Sequence, residues 1–151
     1  MIKIIPVKIK DYDEVLKLMV DIQMYHAKLH PNIYKDTKDI MTKKRFREIV
    51  KNKGLLVAVE NKIIKGVLGI DIFNETRNFM QPRKIMYIHT FVVKEKYRGR
   101  GIGTLLLNYA MKIKDEKKID VISLHVDDKN KNAVKFYKKL GFKVINHKME
   151  L

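Results

Sequence analysis

Apolar and polar residues alternate over "MIKIIPVKI" at the start of the chain, the period of a half-buried strand. From residue 15 the period changes. Val15, Leu18, Met19, Ile22, His26 and Leu29 recur at helical spacing, which predicts a first helix. Asp11 with Glu14 reads as its capping-box start, and Pro31 closes it. A second helix is expected over roughly residues 37–51, with Ile40, Phe46, Ile49 and Val50 on its inner side.

"LLVAVE", then Asn61-Lys62, then "IIKGVLGIDIF" reads as two strands joined by a tight hairpin. The polar stretch 74–83 is a loop, and "KIMYIHTFVVK" is a β-branched, aromatic strand. After a cluster of glycines, Ile102, Leu105, Leu106, Tyr109, Ala110 and Ile113 form a helical stripe. "IDVISLHV" is a nearly all-apolar strand, as expected when both faces are covered. A short helix follows in "NKNAVKFYKKLG", with Ala133, Phe136, Tyr137 and Leu140 on one side and Gly141 as its cap. "FKVINHKMEL" reads as a last strand. The order predicts an α/β fold in one domain, 1–151: a mixed sheet of about six strands with four helices on both faces, part of it parallel.

Composition narrows the chemistry. The chain has no cysteine, which removes disulfides, Cys-ligated metals and a Cys nucleophile. Ser123, its only serine, sits in mid-strand without the glycine-flanked elbow of a nucleophile. Direct transfer therefore fits better than covalent catalysis. The net charge of +16 invites an anionic partner. The excess is mostly lysine spread along every segment, the pattern of a solvated surface, and no aromatic–arginine strand face of an RNA binder is present. Nucleic acid is not among the expected partners, nor is a membrane: no apolar run is long enough to cross one, and no secretory signal is visible. A cytoplasmic location is the default expectation. His26 and His30 lie four apart, but without an intervening Glu or a third ligand no metal site is expected.

The chemistry concentrates in "KEKYRGRGIGTLLLNYAMK", where Gly99, Gly101 and Gly103 fall between a strand and a helix. The first amides of a helix lack intrahelical partners, and the dipole adds positive charge there. Bare glycines let those amides approach a phosphate, and Arg98 and Arg100 add charge. This reads as a pyrophosphate cradle. It is neither a Walker A loop nor a Rossmann fingerprint, because no Lys-Ser/Thr pair follows and the glycine spacing is wrong.

Arg98, Gly101 and Gly103 match the Arg/Gln-x-x-Gly-x-Gly/Ala motif of the GNAT acetyltransferases. Asn130, Ala133, Phe136, Tyr137, Leu140, Gly141 and Phe142 match that family's downstream segment, in the same order. The chain therefore resembles a GNAT acetyltransferase over nearly its whole length. The departure is at the end, where nine residues after Phe142 leave room for one strand rather than two. A second subunit is one way to complete that wall, as a homodimer.

The resemblance implies the GNAT-like fold and transfer of an acetyl group from acetyl-CoA, as co-substrate, to an amine on a small molecule or protein. It places the pantetheine arm along the backbone of Phe91, Val92 and Val93, beside a strand bulge. It places the pyrophosphate on the amides from Arg98 through Gly99, Arg100, Gly101, Ile102 and Gly103 to Thr104. Asn130 then bonds the arm, and Tyr137 donates a proton to the leaving sulfur. A carboxylate on the central strands often assists amine deprotonation in this family. Here His89 and His125 stand at comparable places, with Asp71 and Glu75 behind them. A non-catalytic acyl-CoA-binding or nucleic-acid-associated module on the same fold is the competing reading.

Overall fold

The computed structural model describes residues 1–151. The elements follow the expected order until the last one. They are β1 (Lys3–Pro6), α1 (Tyr12–Leu29), α2 (Lys43–Lys51), β2 (Leu55–Glu60), β3 (Ile63–Glu75), β4 (Arg83–Val93), α3 (Ile102–Glu116), β5 (Val121–Leu124) and α4 (Lys131–Lys139). The five strands lie in the order β1-β2-β3-β4-β5. Pairing is antiparallel except between β4 and β5, which α3 connects as a parallel crossover.

Each face of the sheet buries its own core. On one, Leu68, Met86 and Ile88 pack with Ile102, Leu106 and Ala110 of α3, and Phe136 and Tyr137 of α4 join them. On the other, Val57, Val67 and Val92 pack with Val15 and Leu18 of α1 and Phe46 of α2. Tyr12 binds the two helices of this layer together: its ring meets Phe46 edge-on and its hydroxyl donates to the Met41 carbonyl at 2.7 Å. The Asn61-Lys62 turn has positive φ at both residues, the two-residue form that matches strand twist.

Three expectations need correction. The sixth strand is absent: beyond Phe142, whose amide bonds the Tyr137 carbonyl at 3.1 Å, residues 143–151 form no strand. β5 is four residues long, and no layer covers Val144, Ile145 or Met149, which stay exposed. An alternating pattern becomes a strand only where a neighbour's edge completes its ladder. The second helix starts at Lys43 rather than near 37, because the Thr42 side chain caps the Arg45 amide at 3.1 Å. The capping box also moves. Asp11 accepts the Lys8 amide at 2.8 Å across a short 3-10 turn, and Glu14 reaches instead to the Ile64 amide and to Lys94.

Candidate active site

The three glycines of the turn have two different jobs. Gly99 and Gly101 sit at φ 73° and 77°, the left-handed region that costs other residues about 1–2 kcal/mol, and a Cβ on either would meet open space. Gly103 is needed for packing, since a Cβ there would lie 3.1 Å from Phe136 and 3.2 Å from Phe91. The amides from Gly99 to Thr104 make no hydrogen bond within the protein, and Leu105 is the first to bond back into the helix. Ile102 contributes only backbone, since its side chain is buried against the sheet. Arg98 folds back, Nε donating to the Val93 carbonyl at 3.0 Å, while Arg100 lies over the Tyr97 ring.

A groove opens beside this turn. β4 pairs with β5 only as far as Ile88 opposite Leu124, so its edge from His89 to Val93 has no strand beside it. The cause is visible in the register between β3 and β4: Gly69 faces Thr90 and Ile70 faces Ile88, which leaves His89 as an extra, bulged residue. Phe91 and Val93 turn toward the α3 face and Val92 toward α1.

Asn130 and Tyr137 line the cavity that continues from the groove. Asn130 caps α4, its Oδ1 accepting the Ala133 amide at 3.2 Å, which leaves its NH₂ free for another acceptor. Tyr137 stands among Phe91, Phe136 and Phe142, with ring centroids 5.5–5.9 Å away. Burial pushes its hydroxyl up to about 12, so it keeps its proton throughout the neutral range.

His89, in β4, and His125, just past the end of β5, line the same cavity. His89 lies against Gly69, with Nδ1 3.0 Å from the Thr90 hydroxyl. Burial lowers its pKa, the Asp71 carboxylate opposes that, and Arg45 adds to it. His125 Nδ1 is 2.8 Å from the Tyr87 hydroxyl. Sequence reasoning passed over Tyr87. Its signal was its place two residues before His89 in "YIH", but only the pairing of Tyr87 with Ser123 puts His125 diagonally beside it. Burial, then Tyr34, raises the Tyr87 pKa. Asp71 faces the His89 side of the cavity, whereas Glu75 is paired with Arg83 away from it. No three histidine or acidic side chains cluster as metal ligands would, and no helix is long and apolar enough to cross a membrane.

The sequence pattern of the acetyltransferase (GNAT) family matches residues 20–142. The chain belongs to the GNAT acetyltransferase family. It is similar to an uncharacterized N-acetyltransferase of Methanocaldococcus jannaschii, 40% identical over 63 residues, covering 42% of this chain and 28% of that one. It is also similar to N-alpha-acetyltransferase 50 of Danio rerio, 41% identical over 69 residues, 45% of this chain and 41% of that one. The matched segments span less than half of each of these relatives. Among solved structures, a mutant of the BH1408 protein from Bacillus halodurans superposes with a TM-score of 0.92 at 29% identity, covering 100% of this chain and 98% of that one. A Clostridium acetobutylicum protein solved with acetyl-CoA shares the fold, with a TM-score of 0.70 at 23% identity over 100% and 96% of the chains.

Proposed function

We propose that this GNAT protein is an acetyl-CoA-dependent N-acetyltransferase acting by direct attack of a primary amine in a ternary complex. The observation that carries this is the continuity of one cavity from the unpartnered amides of residues 99–104, past Asn130 and Tyr137, to Tyr87 and His125. The glycine turn suits a pyrophosphate, which needs several converging N–H donors and no Cβ in the way. The free edge of β4 at Phe91–Val93 suits an amide-bearing arm laid along it as an added strand. When bound, the thioester supplies the acetyl group and a thiol leaving group.

The chain's own residues then divide the work. Tyr137, protonated and desolvated, shares its hydroxyl proton with the sulfur as charge builds there. The thiol's ordinary pKa of about 8.5 lies below that of Tyr137 at about 12, so the proton returns to the tyrosine as CoA leaves. An attacking amine must first lose a proton, since a lysine-like amine has a pKa of about 10.4. His125 takes it. In the tautomer whose Nδ1–H donates to the Tyr87 oxygen, the other ring nitrogen keeps a lone pair to accept that proton. His89 is the second candidate for this role, and its bulge places it on the α2 side of the same cavity. Neither Ser123, in mid-strand on β5, nor any cysteine is available for a covalent route.

The test is thiol release from acetyl-CoA with a panel of amines: peptides with a free α-amine, polyamines, amino acids and aminoglycosides. The likeness to an N-alpha-acetyltransferase puts peptide α-amines first in that panel. Acetylation of at least one amine above the rate of hydrolysis supports the reading. Tight acetyl-CoA binding with no transfer to any of them favours the non-catalytic module.

A further inference from the structure

Behind the wall of the cavity, the end of α1 is fastened to the turn that precedes α4. His30 Nε2 pairs with Asp127 Oδ2, and Lys129 Nζ donates to the Leu29 carbonyl at 3.2 Å, joining residues 100 positions apart. The Leu29 carbonyl lies at the helix terminus, where a lysine also complements the dipole.

This fastening supports side chains that do face the cavity. His26, Tyr34 and Asp127 line it, whereas His30 and Lys129 do not. The His30 carbonyl accepts the amides of both Ile33 and Tyr34 at 3.0 Å, so the place of His30 sets the place of Tyr34. The Tyr34 ring is 5.1 Å from that of His26, and Tyr34 is near enough to Tyr87 to help raise its pKa. Both carboxylate oxygens of Asp127 already hold a partner from this chain. Oδ2 holds His30, and Oδ1 accepts the Lys129 amide at 2.8 Å.

We propose that His30 and Asp127 are positioning residues for the acceptor amine, His30 from behind the cavity and Asp127 in its wall, together holding the His26–Tyr34 wall against the Tyr87–His125 edge. The proposal rests on reading this cavity as the acceptor site of an acetyltransferase. Loss of the pair loosens acceptor binding and leaves the glycine turn at residues 99–104, which makes no hydrogen bond to either residue, as it was. Gln at position 30 presents an N–H donor to the Asp127 carboxylate and keeps most of the effect.

Steady-state kinetics with the best acceptor of the amine panel, beside calorimetric Kd for CoA, tests this on the full chain. For His30→Ala the acceptor KM rises by about tenfold, the loss expected for one charge-assisted contact, while the Kd for CoA and kcat stay within about twofold. His30→Gln restores most of the KM. Asp127→Asn, which keeps the Oδ1 acceptor for Lys129, raises KM too, and the double variant His30→Ala/Asp127→Asn is no worse than His30→Ala alone. An unchanged KM in His30→Ala, a parallel rise in the CoA Kd, or no recovery with Gln overturns the proposal. A wild-type protein that acetylates nothing overturns the proposed function along with it, whereas an active wild type with indifferent variants overturns this inference alone.

Discussion

The His89 imidazole rests on the backbone of Gly69, where a Cβ would lie 2.8 Å from Nδ1 and 3.0 Å from Nε2. The strand partner is thus bare where the bulge pushes its extra side chain. Gly69→Ala must move the ring, because the neighbouring backbone is held by the β2 and β4 ladders. Stability is expected to fall by about 1–3 kcal/mol from overpacking. The displaced imidazole loses burial, so its pKa rises toward the ordinary histidine range, readable from NMR ring-proton shifts against pH. An unmoved titration curve would show that Gly69 does not hold the ring.

Tyr87→Phe and His125→Gln separate the two histidines. If His125 accepts the amine's proton, His125→Gln lowers kcat/KM by about 10²–10⁴-fold and removes the rising limb of its pH profile. Tyr87→Phe keeps the ring and loses the contact to Nδ1, so it lowers the rate less. The profile is measured with two acceptors of different amine pKa, so that a limb following the acceptor is recognised. A limb that disappears in His89→Gln instead assigns the proton to His89.

Tyr137→Phe fills the same space among Phe91, Phe136 and Phe142 without the hydroxyl. The expected result is a normal fold, unchanged CoA affinity and a kcat about 10²–10⁴-fold lower where transfer is rate-limiting. Since burial holds the hydroxyl at about 12, the wild-type rate shows no loss from its ionisation between pH 7 and about 10. Wild-type turnover in the Phe variant would remove Tyr137 from the mechanism.

Gly101→Glu places a carboxylate beside the open amides of the turn, and Gly101→Ala reports the cost of the left-handed backbone alone. Loss of two charge-assisted amide contacts predicts at least about 100-fold weaker CoA binding for Glu. The Ala variant loses stability with a much smaller change in affinity. Calorimetric titration of both decides it: equal affinities would place the phosphates elsewhere.

Stability is expected to fall as the pH drops below neutral, before the carboxylates titrate. Burial holds both His26 and His89 below the ordinary imidazole range, with Asp127 and Asp71 opposing it. Above about pH 6.5 these imidazoles are neutral in folded and unfolded chains, so they cost nothing. As the pH falls through that value the unfolded chain takes protons first, and the native state loses stability until its own depressed pKa values are passed. Urea midpoints at pH 7 and pH 5 should converge in a His26→Gln/His89→Gln variant. An identical shift in the wild type and the variant would assign the acid sensitivity to other groups.

The sequence by itself determined what depends on near neighbours. The α1 stripe, the α3 stripe apart from Leu105 (exposed, with Leu107 buried instead), the Asn61-Lys62 hairpin and the glycine turn are set by periodicity and by local backbone chemistry, so each was legible in the residues that form it. The candidate residues from Phe91 to Tyr137 were legible for the same reason, as motifs at short spacing. Only the tertiary structure decided the contacts whose partners lie far along the chain. Parallel register put Tyr87 beside His125, the β3–β4 register made His89 a bulge over Gly69, and chain crossing joined His30 to Asp127. The same reason explains the last segment. "FKVINHKMEL" has the composition of a strand, but a strand forms only where its hydrogen bonds find a ladder, and residues 143–151 make none against the open outer edge of β5.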